Sequence, residues 1–251
     1  MRFAFYTLGC KTNQYETQAM EQLLTELGHE IGQFDQPCDG YIINTCSVTA
    51  VADKKNRAVI RRCRRDNPDA VIGVCGCYSQ HAPEAVRALG VDIIGGSGGR
   101  REFVELMLSA MEGKIRAEQL DDALRRREFE VLPAGGLEER TRAMLKVQDG
   151  CVNFCSYCII PYTRGPIRSA PVDVAVSQAQ ELARQAGGHG ADRGGLHRRS
   201  GAAGAAGQSG TANRDGGFLP AAFPASEPLS PVPPVHAVRV RHGIAADAAE
   251  V

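Results

Sequence analysis

Cys151, Cys155 and Cys158 stand as Cys-x3-Cys-x2-Cys, a spacing that lets three thiolates converge on one small object. Iron–sulfur clusters take Cys thiolates, and a four-iron cluster with only three protein ligands leaves one iron open to a substrate or cofactor. S-adenosylmethionine, held on that iron through its amino and carboxylate groups, would account for the missing fourth ligand. The alternative is zinc, which asks for four ligands in a structural site. From Asn153 through Arg168 the chain offers no His and no Cys beyond this trio.

Cys10, Cys46 and Cys77 lie more than thirty residues apart in sequence, so only the fold can relate them. Each follows a strand-like run: Thr7-Leu8-Gly9, Ile43-Asn44-Thr45 and Val74-Cys75-Gly76. If those strands are parallel, their carboxyl ends share the sheet edge where ligands bind in doubly wound folds. Three thiolates there could hold a second cluster, again with an open iron. The plainer reading of any one of them is a small buried hydrophobe. That reading is assigned to Cys38, Cys63 and Cys75, the last because it alternates with Cys77 and so turns toward a packed face. His29 and His81 are isolated and are not read as ligands.

The elements that must position these residues follow from periodicity. Strands are expected over Arg2 to Leu8, Tyr41 to Thr45, Ala70 to Cys75 and Val91 to Gly95. Helices are expected over Tyr15 to Leu27, Ala52 to Arg65, Pro83 to Leu89 and Arg101 to Met111. This alternation predicts an α/β fold, a doubly wound parallel sheet covered by helices, over residues 1–112. Residues 113–140 are charged and poorly periodic and read as a linker carrying a short helix or strand. A second unit over 141–186 would contain a strand at Ala143 to Val147, a cysteine-bearing loop at Gly150 to Arg168 and a helix at Val172 to Ala186, a single βα unit.

Residues 187–251 differ from the rest: Gly, Ala, Pro and Ser fill 36 of 65 positions and Leu, Ile, Val and Phe only 11, too little apolar surface to offset the entropy of ordering the backbone. A low-complexity, disordered tail is expected, and a frameshift near Gly187 is the explanation favoured. The codons for Ala191-Asp192-Arg193-Gly194-Gly195, read one nucleotide later, permit Leu-Thr-Gly-Val-Asp.

The chain of 251 residues has 29 basic and 29 acidic side chains, which excludes a bulk electrostatic case for nucleic acid. One local basic cluster remains, Lys54, Lys55 and Arg57, Arg61, Arg62, Arg64 and Arg65, readable as a solvated helix face or as the phosphate-contacting face of an RNA partner. No apolar run approaches about 18 residues, and the N-terminus leads directly into a strand pattern, so a cytoplasmic protein without a membrane span is expected. Nine cysteines, an odd number, point in that compartment to metal or redox chemistry and not to a disulfide framework.

Four segments together resemble one family: Thr7-Leu8-Gly9-Cys10-Lys11-Thr12-Asn13-Gln14-Tyr15-Glu16-Thr17, Asn44-Thr45-Cys46, Gly76-Cys77-Tyr78, and Gly150-Cys151-Val152-Asn153-Phe154-Cys155-Ser156-Tyr157-Cys158-Ile159-Ile160-Pro161-Tyr162. They are similar to the radical S-adenosylmethionine methylthiotransferases. The opening motif and Pro-Tyr-Thr-Arg-Gly-Pro-Ile-Arg-Ser at 161–169 are most similar to the MtaB-type branch, which methylthiolates carbon 2 of N6-threonylcarbamoyladenosine beside the tRNA anticodon. The branch that modifies a ribosomal protein usually has Cys-Pro-Lys-Asn at the first site and Ser in place of Tyr162.

The resemblance implies two 4Fe-4S clusters. Cys151, Cys155 and Cys158 would bind the one that cleaves S-adenosylmethionine to a radical, and Cys10, Cys46 and Cys77 the auxiliary one. It also implies a tRNA partner, an electron donor and a sulfur source, the last two of unknown identity. Removing hydrogen from an unactivated adenine carbon is beyond side-chain acids and bases, so a cofactor must supply the reactivity. The resemblance ends near residue 186. Family members continue through a partial (βα)6 barrel, whose later strands grip S-adenosylmethionine, into a small β-rich RNA-binding domain. Activity is therefore not presumed for the chain as written. The alternatives are a methylthiotransferase acting on another tRNA adenosine or on a ribosomal protein, or a non-catalytic iron–sulfur remnant.

Overall fold

Runs rich in β-branched and aromatic residues build the centre of the sheet, as such side chains fit a pleated surface buried on both faces. The computed structural model describes residues 1–113, 115–134, 143–190 and 239–241. In chain order its elements are β1 (Arg2–Thr7), α1 (Lys11–Glu26), β2 (Glu30–Gly32), β3 (Gly40–Thr45), α2 (Ala50–Asp66), β4 (Val71–Gly76), α3 (Cys77–His81), α4 (Pro83–Arg87), β5 (Ile93–Gly95), α5 (Arg100–Gly113), β6 (Arg116–Gln119), a 3₁₀ turn at Ala123–Arg125, β7 (Gln148–Asp149), α6 (Ile160–Arg164), β8 (Arg168–Ser169), α7 (Val172–Gly190) and β9 (Arg239–Arg241).

The strand order is β2-β1-β3-β4-β5-β6-β9. The first six strands are parallel and β9 pairs antiparallel with β6. The order reverses between β1 and β3: the chain lays β2 on one side of β1 and returns to lay β3 on the other. That reversal is the switch point at which open α/β sheets bind ligands, outside the carboxyl ends of the strands.

Alternation along the strands feeds two cores. Phe3, Ile42, Cys75 and Ile93 face α1 and α5, where they meet Met20, Leu24, Phe103 and Met107. Ala4, Tyr41, Ile43 and Val74 face the other way, against Ile60 and Cys63 of α2, Tyr78 of α3 and Val86 of α4. Helices thus cover both faces, as a doubly wound sheet requires. Helix α2 carries its own end signals: Thr49 accepts from the Ala52 amide, Asp53 lies in the first turn, and Arg64 and Arg65 lie in the last, each complementing the helix dipole.

The strand expected at Ala143 to Val147 is a correction. Those residues form no strand, and Gln148–Asp149 instead pairs antiparallel with Arg168–Ser169. Backbone pairing with this hairpin reaches back only to Val147, whose carbonyl accepts from the Ala170 amide at 2.9 Å, and among the described residues no strand lies beside Ala143 to Lys146. The cysteine-bearing loop also contains a helix, α6, with Pro161 in its first turn, where proline's missing N–H costs nothing. Strands β2 and β6 are short and polar and carry no period-2 signal, and β6 lies in the stretch read as a linker. Ala117, Ala123, Leu132 and Ala134 of that stretch are buried.

Most of the expected tail lies outside the described residues, and with it the frameshift codons. Its described parts are the end of α7 and β9. Among the described residues no helix is long and apolar enough to cross a membrane.

Gly76, between β4 and Cys77, has φ +108°, and an added Cβ would press into the Thr45 backbone and come within 2.7 Å of Asn44 Oδ1. Gly76→Ala is therefore expected to cost about 1–3 kcal/mol, read as a lower urea midpoint at unchanged m-value. An unchanged midpoint would contradict this backbone geometry.

Candidate metal centre at the carboxyl edge of the sheet

Cys10 is the residue before α1, Cys46 follows β3 directly, and Cys77 opens α3 at the end of β4. The three strands concerned are neighbours, β1 beside β3 and β3 beside β4, so the fold brings these cysteines to one edge at the switch point. Cys46 and Cys77 are 4% and 2% exposed, while Cys10 is exposed. Gly9 packs against Cys46: with φ +123°, an added Cβ would sit 2.7 Å from Cys46 Cβ and 3.2 Å from its Sγ. Cys10 occupies an N-cap position yet makes no capping hydrogen bond. Ser, Thr, Asp or Asn there would be worth about 0.5–2 kcal/mol, so stability at this position gives way to a thiol.

Side-chain amides hold the three loops. Asn13 Nδ2 donates to the carbonyls of Leu8 at 3.1 Å and Thr45 at 2.9 Å, and Asn13 Oδ1 accepts from Cys10 Sγ at 3.3 Å. Asn44 Nδ2 donates to Asn13 O at 3.0 Å, and Asn56 Nδ2 to the Cys46 carbonyl at 2.5 Å. Cys63 and Cys75, by contrast, sit within the two cores, where burial pushes their thiols up to about 12 and about 11. His29 packs edge-on against the Phe3 ring.

The second trio stands on a more open loop. Cys155 is exposed and Cys151 and Cys158 are half-buried. The Cys151 amide donates to Gly165 O at 2.9 Å and the Cys158 amide to Cys155 O at 3.0 Å. Phe154 and Tyr162, ring centroids 5.5 Å apart, are both more than half exposed beside it, as is Tyr157. A cleft of about 210 Å³ beside Cys151 is lined by Arg126, Arg127, Phe154 and Ile167 among others. That falls below the roughly 300–1,000 Å³ of a ligand pocket, so the cleft does not by itself enclose a cofactor. As placed, no three His, Cys, Asp or Glu side chains among the described residues stand close enough to hold one metal ion. A four-iron cluster sets its thiolates wider apart than a single ion does.

Between the two trios runs a buried charge network that spacing alone did not reveal. Glu16 of α1, 1% exposed, pairs with Arg100 at 2.9 Å, Lys146 at 2.9 Å and Arg164 at 2.8 Å. Asp149 pairs with Lys146 at 2.8 Å, Arg164 at 3.1 Å and Arg168 at 3.5 Å. Burial alone would raise the Glu16 carboxyl, but Arg164, Arg100 and Lys146 outweigh it and hold it well below the carboxylate range. The same contest, with Arg164 and Lys146 prevailing, lowers Asp149. Burial raises the Cys77 thiol, and Arg164 opposes that rise.

The charges of this network do not cancel. Arg100, Lys146, Arg164 and Arg168 face Glu16 and Asp149, all at least nine-tenths buried: four positive charges less two negative leaves two in excess. Glu130 acts on Arg100 and Asp121 on Arg168, while Arg126 pairs with Asp121, so with these three partly exposed groups counted the excess is one positive charge. Uncompensated buried charge is costly, and thiolates carrying a cluster are the complementary negative charge. The donor set at the Cys10, Cys46 and Cys77 edge therefore fits a thiolate-bound iron–sulfur group.

Residues 2–96 match the family described as "Uncharacterized protein family UPF0004". The chain is 46% identical over 180 residues to the threonylcarbamoyladenosine tRNA methylthiotransferase MtaB of Bacillus subtilis, covering 71% of this chain and 40% of that protein. The chain belongs to the MtaB-type methylthiotransferase family. The MtaB of Aquifex aeolicus is 34% identical over 186 residues, 74% of this chain and 45% of its own length. A tRNA-2-methylthio-N(6)-dimethylallyladenosine synthase of Halalkalibacterium halodurans is 32% identical over 194 residues, 73% of this chain and 35% of its own. Against its methylthiotransferase relatives the chain thus spans less than half their length. Within the motifs that resemble those of the methylthiotransferases, Asn13, Glu16 and Arg164 are the residues whose contacts the structure adds.

Proposed function

We propose that this chain carries the cluster-binding part of a cytoplasmic tRNA methylthiotransferase that acts on carbon 2 of N6-threonylcarbamoyladenosine. The observation that carries the reading is the convergence of Cys10, Cys46 and Cys77 on the sheet's switch point beside excess buried positive charge, in a chain similar to the MtaB proteins. In this reading Cys10, Cys46 and Cys77 hold an auxiliary 4Fe-4S cluster and Cys151, Cys155 and Cys158 the one that meets S-adenosylmethionine. With reductant and S-adenosylmethionine, such a cluster supplies one-electron chemistry able to break an unactivated C–H bond.

The chain's own residues do the rest. Asn13, Asn44 and Asn56 fix the backbone around the auxiliary trio. Burial of Cys46 and Cys77 keeps water from that side. Exposed Phe154, Tyr157 and Tyr162 form an apolar rim that the remainder of a longer methylthiotransferase would cover. The exposed side of α2 is assigned to RNA: Lys54, Lys55, Arg61, Arg62 and Arg65 all face solvent on the helix that follows the Cys46 loop. From Lys54 to Arg65 they span about 16 Å at 1.5 Å per residue, enough to meet several phosphates. A second reading, a cluster-binding module without catalysis, is favoured by the cleft beside Cys151, which at about 210 Å³ is smaller than a cofactor pocket.

Anaerobic reconstitution with iron and sulfide separates the two. Visible thiolate-to-iron absorbance together with reductive cleavage of S-adenosylmethionine is the outcome the enzyme reading expects. Absorbance without cleavage would favour the module, and no absorbance would end both. For the RNA face, Arg61→Glu with Arg65→Glu should weaken binding of a tRNA anticodon stem-loop and lower the salt slope by about 1 per cation lost. Unchanged affinity in low salt would remove α2 from the interface.

A further inference from the structure

We propose that Arg164 is a positioning residue that clasps the Cys151–Cys158 loop onto the edge bearing Cys10, Cys46 and Cys77. Its guanidinium, 4% exposed, serves three acceptors on two segments, α1 and β7, at once. It donates through Nη1 to Glu16 Oε1 at 2.8 Å and to Asp149 Oδ1 at 3.1 Å, and through Nη2 to Asn13 Oδ1 at 3.0 Å. Asn13 Oδ1 is the atom that accepts from Cys10 Sγ, and Asp149 Oδ1 also accepts from the amide of Gly150, the residue before Cys151. One planar fork therefore joins the loop of the first cysteine of each trio. Lysine, a point donor on a flexible stem, cannot satisfy three acceptors in fixed directions.

The rest of α6 reinforces the same junction. This helix begins two residues after Cys158 and packs against α3, which Cys77 opens. The Thr163 carbonyl accepts from Ser97 Oγ, which in turn accepts from Arg126 Nη1 at 2.7 Å. After Arg164, Gly165 O takes the Cys151 amide, and the Arg164 carbonyl takes Arg168 Nη1 at 2.8 Å. The loop of the second trio thus returns on itself at the point where the first trio stands. Arg100 and Lys146 also bind Glu16, but neither is bonded to Asn13, so of the three cations on Glu16 it is Arg164 that reaches the Cys10 neighbourhood and the Gly150 turn together.

Hydrogen exchange on the metal-free full chain tests the clasp without depending on iron. In Arg164→Gln, amides over residues 150–165 should exchange at least roughly tenfold faster while those of β1, β3 and β4 keep their rates, because the opening is local. Arg164→Lys, which keeps the charge and one contact, should fold and show a smaller effect of the same kind. Unchanged loop rates in both variants would overturn the proposal. So would a uniform rise across loop and sheet, or failure of both variants to fold, since either makes Arg164 a general stability residue.

A second readout rests on the two-cluster reading: in reconstituted protein, Arg164→Gln should keep its iron but lose magnetic coupling between the reduced clusters. Coupling unchanged in the presence of a loosened loop would overturn the clasp's role between the sites. A wild-type chain that binds no iron, yet shows the local exchange effect, would sink the cluster reading and leave the clasp standing.

Discussion

In reconstituted protein, the two-cluster reading expects the Cys10→Ala, Cys46→Ala, Cys77→Ala triple variant to lose the firmly held half of the iron. The Cys151, Cys155 and Cys158 counterpart should lose the half that a chelator strips first. With four iron atoms per cluster, each triple should fall from about eight to about four per chain. The asymmetry in lability follows from burial: Cys46 and Cys77 are 4% and 2% exposed, whereas Cys155 is exposed and its loop is bordered by solvent-facing Phe154 and Tyr157. Iron and sulfide analysis before and after a timed chelator challenge measures it. Should the first triple variant keep all its iron, the assignment of the auxiliary trio fails. Should both halves be stripped at one rate, the burial argument fails instead.

Glu16→Gln should be the most damaging single substitution in the charge network. It removes the carboxylate shared by Arg100, Lys146 and Arg164, two of them at least 96% buried, and breaking a buried ion pair from one side costs about 3–5 kcal/mol. The same group sets an acid limit. Its folded carboxyl titrates well below the ordinary value of 4.5, so on acidification the unfolded chain takes up a proton before the folded chain does. The stability it contributes is full above the unfolded value and is lost as pH falls toward the folded one. Asp149, also lowered, adds to the same slope. Urea midpoints followed from about pH 7 down to about pH 3 should therefore fall for the wild type, with a shallower fall in Glu16→Gln from an already lower start. Equal midpoints for the two proteins at neutral pH would refute the network's role.

Much of the fold was legible locally. The central strands announced themselves as buried apolar runs, and the helices between them by a 3.6-residue period and, at one start, by Pro83. The alternation of the two then implied parallel strands, and parallel strands implied that Cys10, Cys46 and Cys77 share an edge. Elements whose residues lack a periodic signature did not announce themselves. β2 and β6 are three and four residues long and owe their state to backbone pairing with a neighbour. Helix α6, five residues, lies within the stretch read as a loop, because Pro161 in its first turn and Gly165 just after it leave too short a run for a helical period to show.

The amino-acid sequence by itself determined which residues could ligate metal, which strands carry them to a common edge and which family the chain resembles. Each of these rests on residue type, short spacing or local periodicity. Only the tertiary structure decided how the two cysteine groups are joined. Glu16 and Arg164 are 148 residues apart, and nothing in either neighbourhood names the other. Their pairing arises because the sheet edge, once formed, buries a carboxylate that must find cations, and the loop after Cys158 supplies one. The strand expected at Ala143 to Val147 failed for a related reason: a ladder needs a partner, and the fold supplies one, Arg168–Ser169, to Gln148–Asp149 instead, a choice made across the fold that no local pattern records.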